Sequence, residues 1–140
     1  MCGIVGLFLK DPKLEPQLGA MLTEMLITRT DRGPDSAGIA IYSRGHNGHA
    51  KLTVQSANPD RDFADLADTL GKAIGAKIKL AVKDTHAVID LPADRLDAAR
   101  HAMREVAPTV KVLSAGEGIE IYKEVGLPKD VAARFDVSKM

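Results

Sequence analysis

The chain has 140 residues, 45% of them apolar and 4% aromatic, enough for one ordinary domain, or one main unit with a smaller appendage, around a core of Leu, Ile, Val, Met and Ala. Nineteen basic residues balance nineteen acidic ones with no block of like charge, which argues against a nucleic acid or a membrane surface as a charge-driven partner. No apolar run reaches the ~20 residues that span a bilayer, no secretory signal opens the chain, and one cysteine makes neither an internal disulfide nor a zinc site, so the cytosol is the expected compartment.

The first eight residues, Met1-Cys2-Gly3-Ile4-Val5-Gly6-Leu7-Phe8, place the only cysteine directly behind the initiator. Ile4 to Leu9 is a nearly continuous apolar run that reads as a strand buried on both faces. Leu18, Met21, Leu22, Met25 and Leu26 then recur at three- and four-residue spacing, an amphipathic helix over about Leu14–Thr28 with Pro16 tolerated in its first turn. Thr30 to Ser36 is a polar, turn-rich loop, and Ala37 to Tyr42 resumes as a strand. Ser43 to Gly48 reads as a hairpin turn leading into a strand over about Ala50–Gln55.

Asn58-Pro59-Asp60 marks a boundary. Beyond it, Phe63, Leu66, Ala67, Leu70 and Ile74 predict a second helix closed by Gly75. Two strands follow, one through Ile78, Leu80 and Val82 and one over about His86–Leu91. Pro92 and Asp94 open a third helix carrying Leu96, Ala99, Met103 and Val106. Val110 and Val112, then Ile119 and Ile121, predict two strands joined as a hairpin through Ala115-Gly116-Glu117-Gly118. Pro128 begins a last short helix with Val131, Ala132 and Phe135. Mixed helices and strands with hairpins give an α+β class. The expected division is an N-terminal piece at 1–57, an α/β segment at 58–127 and a closing helix at 128–140.

Two stretches carry chemistry. Cysteine is small enough for aminopeptidase removal of Met1, which leaves Cys2 with a thiol and a free α-amine. That amine, with a pKa near ~7.7–8.0, can serve as a base at neutral pH where a lysine near ~10.4 cannot. The bland alternative is a small hydrophobe at the start of a buried strand. The second stretch is Arg32-Gly33-Pro34-Asp35-Ser36-Ala37-Gly38. Read alone it is a charged turn; read functionally, Arg32 and the backbone at Gly33 shape a pocket for a carboxylate or amide, with Asp35 and Ser36 holding the loop. His46 and His49 read as solvated turn residues, with a metal clip as the weaker alternative. His86 and His101 read as surface or helix-face residues, and no metal site is expected.

The opening Met1-Cys2-Gly3-Ile4-Val5-Gly6, followed after one helix by Arg32 to Ile39, resembles the class II glutamine amidotransferases, which are N-terminal nucleophile hydrolases. It is most similar to the stand-alone subunits related to the glutaminase domain of glutamate synthase. The resemblance covers about residues 1–42, and the α/β segment resembles an insertion of that subgroup. It implies an αββα sandwich of two stacked antiparallel sheets, of which this chain would supply the N-terminal part. It implies Cys2 as the nucleophile on the glutamine side-chain amide, its α-amine as base and then acid, and Arg32 and Gly33 as loop residues that position Cys2 and close over glutamine. The ammonia acceptor would be a glutamate synthase-like partner with its own flavin and iron–sulfur groups, and this chain would bind no cofactor.

Such enzymes also carry a His-Thr-Arg strand for the glutamine carboxylate, an Asn-Gly oxyanion hole and an acid for the substrate amine. No His-Thr-Arg occurs here, and the Asn47-Gly48 pair comes too early. The expectation is the first part of an amidotransferase, inactive or barely active in these 140 residues. The alternative is a non-enzymatic regulatory or interaction module in which Cys2 is only a strand residue. A thiol redox sensor is a third reading, without a resolving cysteine.

Overall fold

The computed structural model describes residues 3–45 and 48–140; Cys2 and His46 lie outside them. In chain order the helices are α1 (Leu18–Ile27), α2 (Pro59–Asp62), α3 (Leu66–Ile74), α4 (Leu96–Val106) and α5 (Pro128–Arg134). The strands are β1 (Ser36–Tyr42), β2 (His49–Gln55), β3 (Lys79–Lys83), β4 (His86–Pro92), β5 (Lys111–Gly116) and β6 (Ile119–Val125). The class is mixed α and β with antiparallel pairing. Contacts divide the chain into one unit of residues 1–39 and 123–140 and a second of residues 40–122.

The second unit is the larger. Its sheet runs β3-β4-β2-β5, and every pair is antiparallel, with Leu52 opposite Ile89 and Leu80 opposite Ile89 on its other side. The chain order is β2-α3-β3-β4-α4-β5, a split β-α-β arrangement. Period-2 alternation sends Leu52, Val54, Ala87, Ile89 and Leu91 to one face. There they meet Leu66, Leu70 and Ile74 of α3 and Ala99 and Met103 of α4, all buried. Burial of such side chains stabilises by roughly 1.5–3 kcal/mol each. Helix α3 stops at Gly75, whose φ of 64° is the left-handed cap that a side chain resists.

In the first unit, a 3-10 turn over Pro12–Gln17 contains Pro16 and runs into α1. The buried Val131, Ala132, Phe135 and Val137 come from α5 and the turn after it. Gly19 of α1 is where that C-terminal turn presses closest. A β-carbon there would lie against the carbonyl oxygens of Val137 and Met140, the latter at 2.8 Å.

Several expectations are corrected. Ile4 to Leu9 is not a buried strand: Ile4 and Phe8 are 92% and 84% exposed, Val5, Leu7 and Leu9 are half-buried, and no strand among the described residues pairs with the segment. Neither predicted hairpin around β2 or β5 forms. β1 pairs with β6, whereas β2 pairs with β4 and β5, so residues 43–48 and 117–118 link strands of different sheets. The β1–β6 pair is antiparallel, as the Gly126 N–H to Asp35 carbonyl bond (2.9 Å) at one end and the Ser43 N–H to Gly118 carbonyl bond (2.7 Å) at the other require. His86 is fully buried on β4 rather than on a surface. Its ring lies 5.7 Å from that of Tyr122, and its Nδ1 is 3.0 Å from Thr85 Oγ1. His49 begins β2 rather than a turn, and Asp90 meets its Nδ1 at 2.7 Å.

Candidate active site

Helix α1 ends where hydroxyls compete for its last carbonyls. Thr28 Oγ1 donates to the Met25 carbonyl and Thr30 Oγ1 to that of Ile27, each at 2.7 Å. The chain continues as a 3-10 turn over Thr30–Arg32, with the Arg32 N–H on the Arg29 carbonyl (3.0 Å) and the Gly33 N–H on the Thr30 carbonyl (3.3 Å). Pro34 cannot continue a helix, and it biases Gly33 towards extended backbone; Gly33 has φ −156°. β1 then starts at Ser36 with Ala37 and Ile39 buried and Ser36, Gly38 and Ala40 exposed.

This turn forms one wall of a cavity of about 330 Å³ within the first unit. Arg29, Arg32, Gly33 and residues 34–38 line it, together with Gly3, Ile4 and Val5 from the chain start, Leu26 of α1 and Pro128 of α5. The two sequence motifs therefore meet. A β-carbon at Gly3 would stand 3.4 Å from that of Arg32 and 3.6 Å from that of Arg29. Cys2 itself lies outside the described residues, but its neighbour Gly3 and both loop residues singled out, Arg32 and Gly33, border the same cavity.

Arg29 was not singled out from the sequence, although its position three before Arg32, one helical turn back, is the signal that pairs them. The cavity's titratable lining is Arg29, Arg32 and Asp35. None of the three has an ion-pair partner among the described residues. Cations after the end of α1 also suit its dipole.

A larger concavity, about 610 Å³, lies over α4 and the start of β5 in the second unit. Arg100, His101 and Arg104 border it with apolar residues, but no thiol, hydroxyl or carboxylate does. The second unit's other charged cluster is structural. Lys51 Nζ and Tyr122 OH both donate to Glu120, at 2.6 and 2.5 Å. Burial pushes the Glu120 carboxyl up, yet these donors outweigh it and hold it below its ordinary value. Burial first, and then the Glu120 hydrogen bond, push the Tyr122 phenol far above its own. No group of three or more His, Cys, Asp and Glu converges among the described residues. No helix among them is long and apolar enough to cross a membrane.

No family model matches the chain. Over 140 residues, its whole length, it is 59% identical to "Glutamine amidotransferase-like protein GlxB" of Rhizobium meliloti and covers 46% of that protein. A "Putative glutamine amidotransferase" of Methanothermobacter thermautotrophicus is 28% identical over 149 aligned positions, spanning 97% of this chain and 47% of that protein. These likenesses support a place among the glutamine amidotransferases. The chain spans about half the length of the curated relatives it matches, and both carry in their names the activity that the opening motifs resemble.

Proposed function

We propose that the chain is part of a class II glutamine amidotransferase of the cytosol, acting through an N-terminal cysteine. Loss of Met1 frees the Cys2 α-amine, which takes the thiol proton as sulfur adds to the side-chain carbonyl carbon of glutamine. The same proton returns to the leaving nitrogen as the carbon–nitrogen bond breaks, giving ammonia and a γ-glutamyl thioester. Water then cleaves the thioester to glutamate and restores the thiol. Arg32 and Gly33 position Cys2 and close over the substrate, and the ammonia passes to a glutamate synthase-like partner.

In this reading residues 1–57 open an αββα amidotransferase domain and residues 128–140 lead back to its remainder. Residues 58–127 form an insertion to whose sheet the preceding piece contributes β2. The observation that carries the proposal is the meeting of Gly3, beside Cys2, with Arg32 and Gly33 at one cavity. An arginine loop beside the neighbour of the N-terminal cysteine supports a reading in which a small polar amide is held for attack.

Mass spectrometry of the natural protein tests the first step: Met1 is expected to be absent, and a retained Met1 would leave Cys2 without its base and sink the mechanism. A diazoketone analogue of glutamine is expected to modify Cys2 selectively. Equal labelling by any small electrophile would favour a non-enzymatic module instead. The isolated 140-residue chain is expected to release little or no glutamate, because no His-Thr-Arg strand or later Asn-Gly pair is present in it; loss of one oxyanion donor alone costs about 10²–10³ in rate.

A further inference from the structure

We propose that the trough between α4 and β5 is a docking site for an acidic, extended segment of a protein partner, which adds as a fifth strand beside β5. The site lies wholly within the second unit and does not depend on the amidotransferase reading. β5 ends the β3-β4-β2-β5 sheet, and among the described residues only β2 pairs with it. The backbone groups on its outer edge therefore meet no strand, and such an edge is a ready template for another chain. The apolar face of the sheet also runs out here. Val112 stands opposite Val54 in the register. Val54 is fully buried beneath the helices, whereas Val112 is 40% exposed. With Met103 and Val110 it lines the concavity of about 610 Å³.

Charge selects the occupant. Arg100 and Arg104, one turn apart on α4, border the trough, and no acidic side chain lines it. Arg100 has Asp97 at 3.7 Å, with both side chains more than half exposed, a contact that water weakens. Arg104 has no ion-pair partner among the described residues. A second copy docking edge to edge would set arginines against arginines, a like-charge juxtaposition that opposes association. An acidic strand meets the opposite situation. Its alternate side chains fall on one face, where carboxylates reach the two guanidiniums and an apolar neighbour covers Val112.

The test uses the full chain and two fluorescein-labelled octapeptides. In one, threonine alternates with valine and glutamate; in the other, lysine replaces the glutamate. Fluorescence anisotropy at low salt is expected to show the glutamate peptide binding about tenfold or more tighter than the lysine peptide. Arg100→Glu combined with Arg104→Glu is expected to reverse that preference, an outcome that unfolding cannot give. Bound glutamate peptide is expected to slow amide hydrogen exchange in β5 and to leave the other edge strand, β3, unchanged. Absence of binding at millimolar peptide, equal affinity for the two peptides, or a preference that survives the charge reversal overturns the site. Protection confined to α4 overturns strand addition. A dimer in sedimentation whose β5 amides are protected without peptide gives the edge to a second copy and overturns the proposal as well.

Discussion

A β-carbon added at Gly3 would stand 3.4 Å from the β-carbon of Arg32, which is ordinary van der Waals contact with no room beyond it. Gly3→Ala is therefore expected to keep selective labelling of Cys2. Gly3→Val, whose branches run into the Arg29 and Arg32 stems, is expected to slow it by about ten- to a hundredfold. Circular dichroism should be unchanged in both. Equal labelling of the valine variant would show that Gly3 and Arg32 do not constrain the N-terminal residue.

Gly19 carries the packing of the first unit. A methyl group there meets backbone oxygen rather than a pliable side chain, so α1 and the C-terminal turn must part. Gly19→Ala is expected to destabilise by about 1–3 kcal/mol, although alanine is the better helix former. Urea denaturation measures it; a stabilised variant would refute the close approach.

Glu120 makes the stability of the second unit depend on pH. Its carboxyl is held below the ordinary value of 4.5, so the folded state binds that proton less readily than the unfolded state does. The stabilisation is complete above the unfolded value and is lost as the pH falls through the folded one. Glu120→Gln is expected to be less stable than wild type by about 1–2 kcal/mol at neutral pH. The difference should shrink steadily below about pH 4.5. Denaturation midpoints across that range read it directly, and a constant difference would exclude the Lys51–Glu120–Tyr122 cluster as its source.

Leu52 sits in the central strand with its side chain fully buried under α3 and α4. Leu52→Ala is expected to cost about 2–5 kcal/mol. The same change at Val82, 55% exposed on the edge strand β3, is expected to cost much less. Parallel denaturation curves of the two variants check both.

Helices α1, α3, α4 and α5 were legible because their apolar residues recur at helical spacing and because Gly75, Pro92 and Pro128 punctuate them; the single turn α2, Pro59–Asp62, falls where the sequence marked only a boundary. Every strand after residue 36 was also legible from local alternation. Strand partners were not. Gly116 and Gly118 read as a hairpin turn, yet β5 joins β2 and β6 joins β1, since pairing is decided by which faces meet across the fold rather than by the turn between. Ile4 to Leu9 has the composition of a buried strand but lacks a ladder partner among the described residues. At the site, Arg32 and Gly33 were legible as a motif. Arg29 lies outside that motif, and its place at the cavity border comes from Gly3, far away in sequence, lying against its side chain. His49 likewise acquires Asp90 only through the β2–β4 register.

The bond between the Ser43 N–H and the Gly118 carbonyl, at 2.7 Å, has a consequence for how such a chain can change. The path that departs after Ser43 returns at Gly118 to within one hydrogen bond of where it left, having built the entire β2-α3-β3-β4-α4-β5 layer in between. A tight turn would join those two residues directly and turn β1 and β6 into an ordinary hairpin. The intervening layer therefore leaves and re-enters the β1–β6 pair at one point, and what ties it further to β6 is the Lys51–Glu120 bond and the His86–Tyr122 ring contact, which any exchange of the layer has to replace.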